Sequence, residues 1–214
     1  MKKMLMAVVA VVLIVVISVS ATFAYLTDKE DVLNTFTVGN VQIMLDEKTV
    51  DPETGKATDD PRTDKGNSDV KIIPGRTIDK DPTVTVIAGS EPCYVRMKVT
   101  ISNITELKAI FGNDFLPQNY VDGWNPDVWV STKTVDIADN AATYEFRYKD
   151  IVDTRTATVD EVLPALFTTF TLPGDEVNNA QLATLDGLSI TVVAEAIQSE
   201  TFENADDAWA KFSA

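Results

Sequence analysis

Histidine is absent from all 214 residues, and cysteine occurs once, at Cys93. Without histidine, the commonest general base and the commonest zinc ligand are both missing. A single cysteine excludes an intramolecular disulfide, a Cys–His dyad and a cysteine metal cluster. Cations are scarce as well: 18 Lys and Arg stand against 33 Asp and Glu, for a net charge of −15. Lys2 and Lys3 lie in the first 24 residues, which hold no acid, so the remainder carries −17. So negative a chain repels phosphates and anionic lipids, which argues against nucleic acid as a partner. The sequence also lacks HExxH, GxSxG, Walker, GxGxxG and Asp-Thr-Gly motifs, and no catalytic residue, metal or cofactor is expected. Paired carboxylates for glycoside hydrolysis are a spatial feature, and 33 acids in an acidic protein do not require them.

What is present begins at the N-terminus. Lys2-Lys3 precedes an apolar run of 16 residues, Met4 to Val19, and then "ATFA". A charged lead, an apolar middle and a small-residue end are the parts of a secretory signal. Cleavage after Ala24 puts Thr22 at −3 and frees Tyr25; cleavage after Ala21, with Val19 at −3, is the competing choice. An uncleaved anchor is the remaining reading. The run is short of the roughly 20 residues of a span, and no basic flank follows it. The expected division is a signal peptide over 1–24 and one domain over 25–214, with no membrane attachment except through the uncleaved signal.

The rest of the chain alternates at the period of strands. Phe36 and Val38 share one parity and Val41, Ile43 and Leu45 the other, which predicts a bulge or a bend at Gly39-Asn40. Residues 46–70 hold eight acids among Pro, Gly and Thr, and read as a solvated loop; Asp60, Asp64, Asn67 and Asp69 do not match EF-hand spacing. "TVTVIAGSEPCYVRMKVTISN" reads as two strands, with Cys93, Val95, Met97, Val99 and Ile101 on one face and Tyr94, Arg96, Lys98 and Thr100 on a solvated other. Cys93 is then a small buried hydrophobe. A short helix is predicted at "TELKAIFG", capped by Thr105 and stopped by Gly112, and another at "NADDAWAKF", capped by Asn204 with Trp209 and Phe212 inward. "ATYEFRYKD", "ALFTTFTLPG" and "LSITVVAEAIQ" add strands, the last expected to be central. Tyr120, Trp124 and Trp129 fall in a turn-rich insert, where Trp124 and Trp129 are a candidate ligand platform or else core. The fold class expected is all-β: an antiparallel β-sandwich of jelly-roll type with short peripheral helices.

"AYLTDKEDVLNTFTVGNVQIML" resembles the start of the TasA and camelysin family. The matching positions are Ala24, Tyr25, Leu26, Thr27 and Asp28, then Asn34, Thr35, Phe36, Thr37, Val38 and Gly39. "IIPG", "GSEPCYVRMKVTI" and "ITVVAEAIQSETFENADDAWAKF" resemble segments of exported members of the same broad group, while about 105–165 is not covered. The resemblance implies a protein exported from Gram-positive bacteria and cut by the ER-type signal peptidase SipW. It further implies a jelly-roll subunit of extracellular biofilm matrix or surface fibres that self-associates through an N-terminal donor strand. Here the donor would be Tyr25 to Val38, anchored by Leu26, Val32, Leu33, Phe36 and Val38; the alternative is that the segment pairs within its own sandwich. Camelysin-type members are described as metalloproteases, but with no histidine that activity is not carried over. The second functional expectation is a secreted surface or carbohydrate-binding module acting through Trp124 and Trp129.

Overall fold

The computed structural model describes residues 27–30, 41–137 and 140–212. Among them the strands are β1 (Thr27–Glu30), β2 (Ile43–Asp46), β3 (Thr77–Asp79), β4 (Thr83–Val86), β5 (Cys93–Ser102), β6 (Val121–Asp122), β7 (Trp129–Ile137), β8 (Ala141–Tyr148), β9 (Glu161–Val162), β10 (Thr169–Thr171) and β11 (Ile190–Gln198). The helices are short: α1 (Ile104–Phe111), α2 (Asn179–Thr184) and α3 (Ala205–Phe212). All strand pairs are antiparallel. The all-β class with short helices is as expected, but pairing sorts the strands into three sheets: β1-β11-β5-β8-β7, β3-β10-β6 and β2-β4-β9.

The main core lies under the five-stranded sheet. Val95, Met97, Val99 and Ile101 of β5 face inward beside Tyr144 and Phe146 of β8 and Val192, Ala194 and Ala196 of β11. Val84 and Val86 of β4, Leu163, Leu166 and Leu172 close it from the other side. β5, not β11, is the middle strand. The nine-residue β7 is absent from the sequence reading, because Thr, Ser, Lys and Asp dilute its alternation. As an edge strand it carries a register irregularity between Ser131 and Lys133, where Thr132 Oγ1 donates to Glu145 Oε1 at 2.9 Å. Such a bulge blunts an edge against further pairing.

The outer face of the large sheet is not solvated. Arg96 is 2% exposed. Its guanidinium lies 2.6 Å from Glu195 Oε2 and 2.9 Å from Glu145 Oε2, and Trp209 of α3 covers it with its ring centroid at 4.1 Å. Lys98 reaches Glu195 at 3.0 Å, and Arg147 joins Glu145 to Asp206 of α3. Arg96 and Arg147 sit directly opposite in the register, a like-charge pairing that the two glutamates offset. Trp209 and Phe212 therefore pack outward on Ile197 and Tyr94 in a second small cluster, rather than entering the main core. Asn204 caps α3 as expected, accepting from Asp207 N at 3.0 Å. At α1 the cap position is Asn103, with φ of 53°, and the Thr105 N–H donates instead to Asn140 Oδ1 at 2.8 Å. Gly112 ends the helix at φ of 95°.

The acidic segment 46–70 is also tied down. Glu47 bridges Thr63 and Val50 bridges Ala57. Arg62 binds Asp46 at 2.6 Å and Asp81 at 2.8 Å. Asp51 accepts from the Glu53 and Thr54 backbone N–H groups in an Asx turn.

Three outcomes check this packing. Arg96→Ala leaves two buried carboxylates short of a partner and is expected to cost about 3–5 kcal/mol in urea unfolding. Burial pushes the Glu145 carboxyl up, but hydrogen bonds from Arg147 and Thr132 and the Arg96 and Arg147 charges outweigh it, and the net shift is downward. Its contribution to stability is therefore complete above the ordinary glutamate value of about 4.3 and is lost as pH falls through the lower folded value. Glu145→Gln should flatten that acid limb in a pH series of unfolding midpoints. Burial pushes the Cys93 thiol up to about 12, so a chromogenic disulfide reagent at pH 8 should leave the folded protein unreacted and titrate one thiol in urea.

Candidate assembly site

β11 is a nine-residue apolar strand, and β5 pairs it over its whole length, from Ile190↔Ile101 to Gln198↔Cys93. Its other edge receives β1. β1 pairs with Ala194 to Ile197, in the register Thr27↔Ile197 to Glu30↔Ala194. Among the described residues, no strand pairs with that edge over 190–193. β2 packs against β11 there without pairing to it.

Beside this edge lies a cleft of about 1020 Å³. Its apolar wall includes Leu45, Ile78, Phe170, Leu188, Ile190 and Val192. Residues 63–70 and 182–189 form the rim, whose charges include Asp64, Asp69, Asp186 and Lys65. Glu47 and Lys80 face each other on the wall at 2.6 Å. An apolar cleft along strand edge is the geometry into which an extended peptide adds as an extra strand.

The predicted site residues distribute as follows. Ala24, Tyr25, Leu26, Val32, Leu33, Phe36 and Val38 lie outside the described residues, as does the bulge or bend expected at Gly39-Asn40. Trp129 is 0% exposed and donates its Nε1–H to the Pro164 carbonyl at 2.9 Å. Trp124 is half-buried and donates to the Trp129 carbonyl at 2.9 Å. Trp129 thus offers no face for stacking, and Trp124 is fastened edge-to-face against Phe146. Tyr120 stacks on Phe115 and meets Phe111 at a tilt beside α1. What the sequence reading missed is the cleft itself: its walls come from segments more than a hundred residues apart, and no local pattern signals that.

Cys93 is buried and no histidine exists in the chain. Among the described residues, no group of three or more Cys, Asp and Glu is placed to hold a metal ion. Among the described residues, also, no helix is long and apolar enough to cross a membrane. No curated protein and no solved structure matches the chain. One family model does, over residues 1–54: that of camelysin metallo-endopeptidase. Histidine nitrogen and cysteine sulfur, the common donors of zinc sites, are reduced in this chain to the buried Cys93. The N-terminal segment is nonetheless similar to the camelysin family, and it contains both the apolar run and the strand β1 that docks on β11.

Proposed function

We propose that this chain is an exported structural subunit that assembles into extracellular fibres by strand donation, with β11 as the acceptor. The single observation that supports it most is the docking of β1 on the edge of β11, with an apolar cleft that Ile190 and Val192 line alongside it. The described part of the N-terminal segment already pairs with that strand within one chain. A donor arriving from a neighbouring subunit would use the same ladder. Continuing the observed register would set Asp31, Val32, Leu33 and Asn34 opposite Val193, Val192, Thr191 and Ile190. Val32 would share the face of Val192 and meet the apolar wall, while Leu33 would point to the opposite face of the sheet. Exchange of one strand for an identical one costs little, because the contacts made and lost are the same.

Processing, location and the lack of catalysis follow from this reading. A signal peptide ending near Ala24 would be removed by an ER-type signal peptidase, because a tethered N-terminus cannot reach a neighbour. The protein would act outside the cell, at the surface or in the matrix, without catalysis. The bulge at the β7 edge disfavours pairing on that side of the large sheet, which supports growth through the β11 side.

Electron microscopy of the protein beginning at Tyr25, beside a version lacking residues 25–33, tests the proposal. Filaments in the first preparation and none in the second are expected. Filaments of equal number and length in both would remove the donor strand from the account.

A further inference from the structure

Glu47 is 5% exposed, and its two carboxylate oxygens hold different partners. Oε2 accepts from the Lys80 ammonium at 2.6 Å. Oε1 accepts from Asn67 twice, from side-chain Nδ2 and from the backbone N–H, each at 2.9 Å. The Asn67 amide is held at its other polar positions too. Nδ2 also donates to the Lys48 carbonyl at 2.8 Å, and Oδ1 accepts from the Val50 N–H at 2.8 Å. The three side chains come from separate stretches: the end of β2, the acidic segment, and the link between β3 and β4. An amine and a carboxamide thus share one sheltered carboxylate, and the carboxamide oxygen already rests on a backbone donor.

We propose that Lys80 and Asn67 join in an intramolecular isopeptide bond, with Glu47 as the proton carrier. Glu47 Oε2 takes a proton from the Lys80 ammonium across their short hydrogen bond. The freed Nζ lone pair attacks Asn67 Cγ. Negative charge collects on Oδ1, where the Val50 N–H stabilises it as an oxyanion donor does. The Nζ–Cγ bond forms and the Cγ–Nδ2 bond breaks, with Glu47 returning its proton to Nδ2. The second proton shed by Nζ converts the departing ammonia to ammonium. One ammonium side chain and one primary amide become one secondary amide and one free ammonium ion, with no oxidant, reductant or further reactant. Holding nucleophile, electrophile and proton carrier together replaces an encounter in solution. The cleft, whose wall includes all three residues, gives the ammonium a way out.

The bond would tie the acidic segment covalently to the strand link beneath it, which suits a subunit exposed outside the cell without a disulfide. It is read directly by intact mass spectrometry of the folded chain. The expected mass is one ammonia below that of the sequence, and proteolysis should yield a joined peptide pair spanning Asn67 and Lys80. Lys80→Arg keeps the ion pair but lacks a suitable nucleophile, and should show the full mass. Glu47→Gln should do the same if circular dichroism shows it folded. Asn67→Asp should lose one water in place of one ammonia. A folded wild-type protein that retains its full mass after long incubation would overturn the proposal, as would an ammonia deficit that persists in Lys80→Arg.

Discussion

The pairing of β11 with β5 is the constraint on which the rest of the molecule depends. Nine consecutive residue pairs fix the register, so every inward position of both strands is committed at once. On the inner face, that register sets Val192, Ala194 and Ala196 beside Val99, Met97 and Val95 in the core. On the outer face it sets Glu195 beside Arg96, and so creates the buried ion network that α3 covers. A slip of one residue would exchange the two faces and bury unpaired charge in the core, at a cost no packing gain offsets. The same ladder leaves β11 with one edge to offer, and β1 docks on it.

The scarcity of cations gives this acidic chain a common theme. Several cations hold carboxylates that are remote from them in sequence. Arg62 joins Asp46 to Asp81, Lys80 holds Glu47, and Arg96 joins Glu145 to Glu195. Arg155 gathers Asp153 and Glu200 on the surface. The buried pairs specify how elements meet more than they add to stability, because desolvation cancels much of their attraction. The exposed ones contribute little. The uncompensated acids are left on the surface, where their mutual repulsion opposes undirected association of a β-rich protein.

How far the sequence disclosed this structure follows from the range of each interaction. β5, β8 and β11 were legible because alternation is local, and Cys93 took its buried place from parity alone. The Asn204 cap and the Gly112 stop were legible for the same reason. β7 was not, since a bulged polar edge strand has no clean period. α2 was missed as well; although a capping box at Asn178 and Gln181 marks its start, it buries none of its residues, so no apolar stripe announces it. Arg96 and the acidic segment were misread as solvated. Their partners lie 49 and 99 residues away in one case and 16 to 33 in the other, and single-sequence patterns do not reach so far. The cleft belongs to the same class of feature. The N-terminal resemblance was legible because it is carried by a contiguous motif, and it matches the family model over that same stretch.

The central claim is that the strand which docks on β11 within one chain docks on the β11 of the next in a fibre. Cysteine trapping on the observed register measures this most directly. In a Cys93→Ala background, Asp28→Cys and Ala196→Cys place two thiols on partnered residues. Oxidised monomer should carry the bond within one chain, whereas oxidised fibres should dissolve in denaturant as a ladder of covalent multimers. Fibres that dissolve entirely to internally bonded monomers would contradict the account.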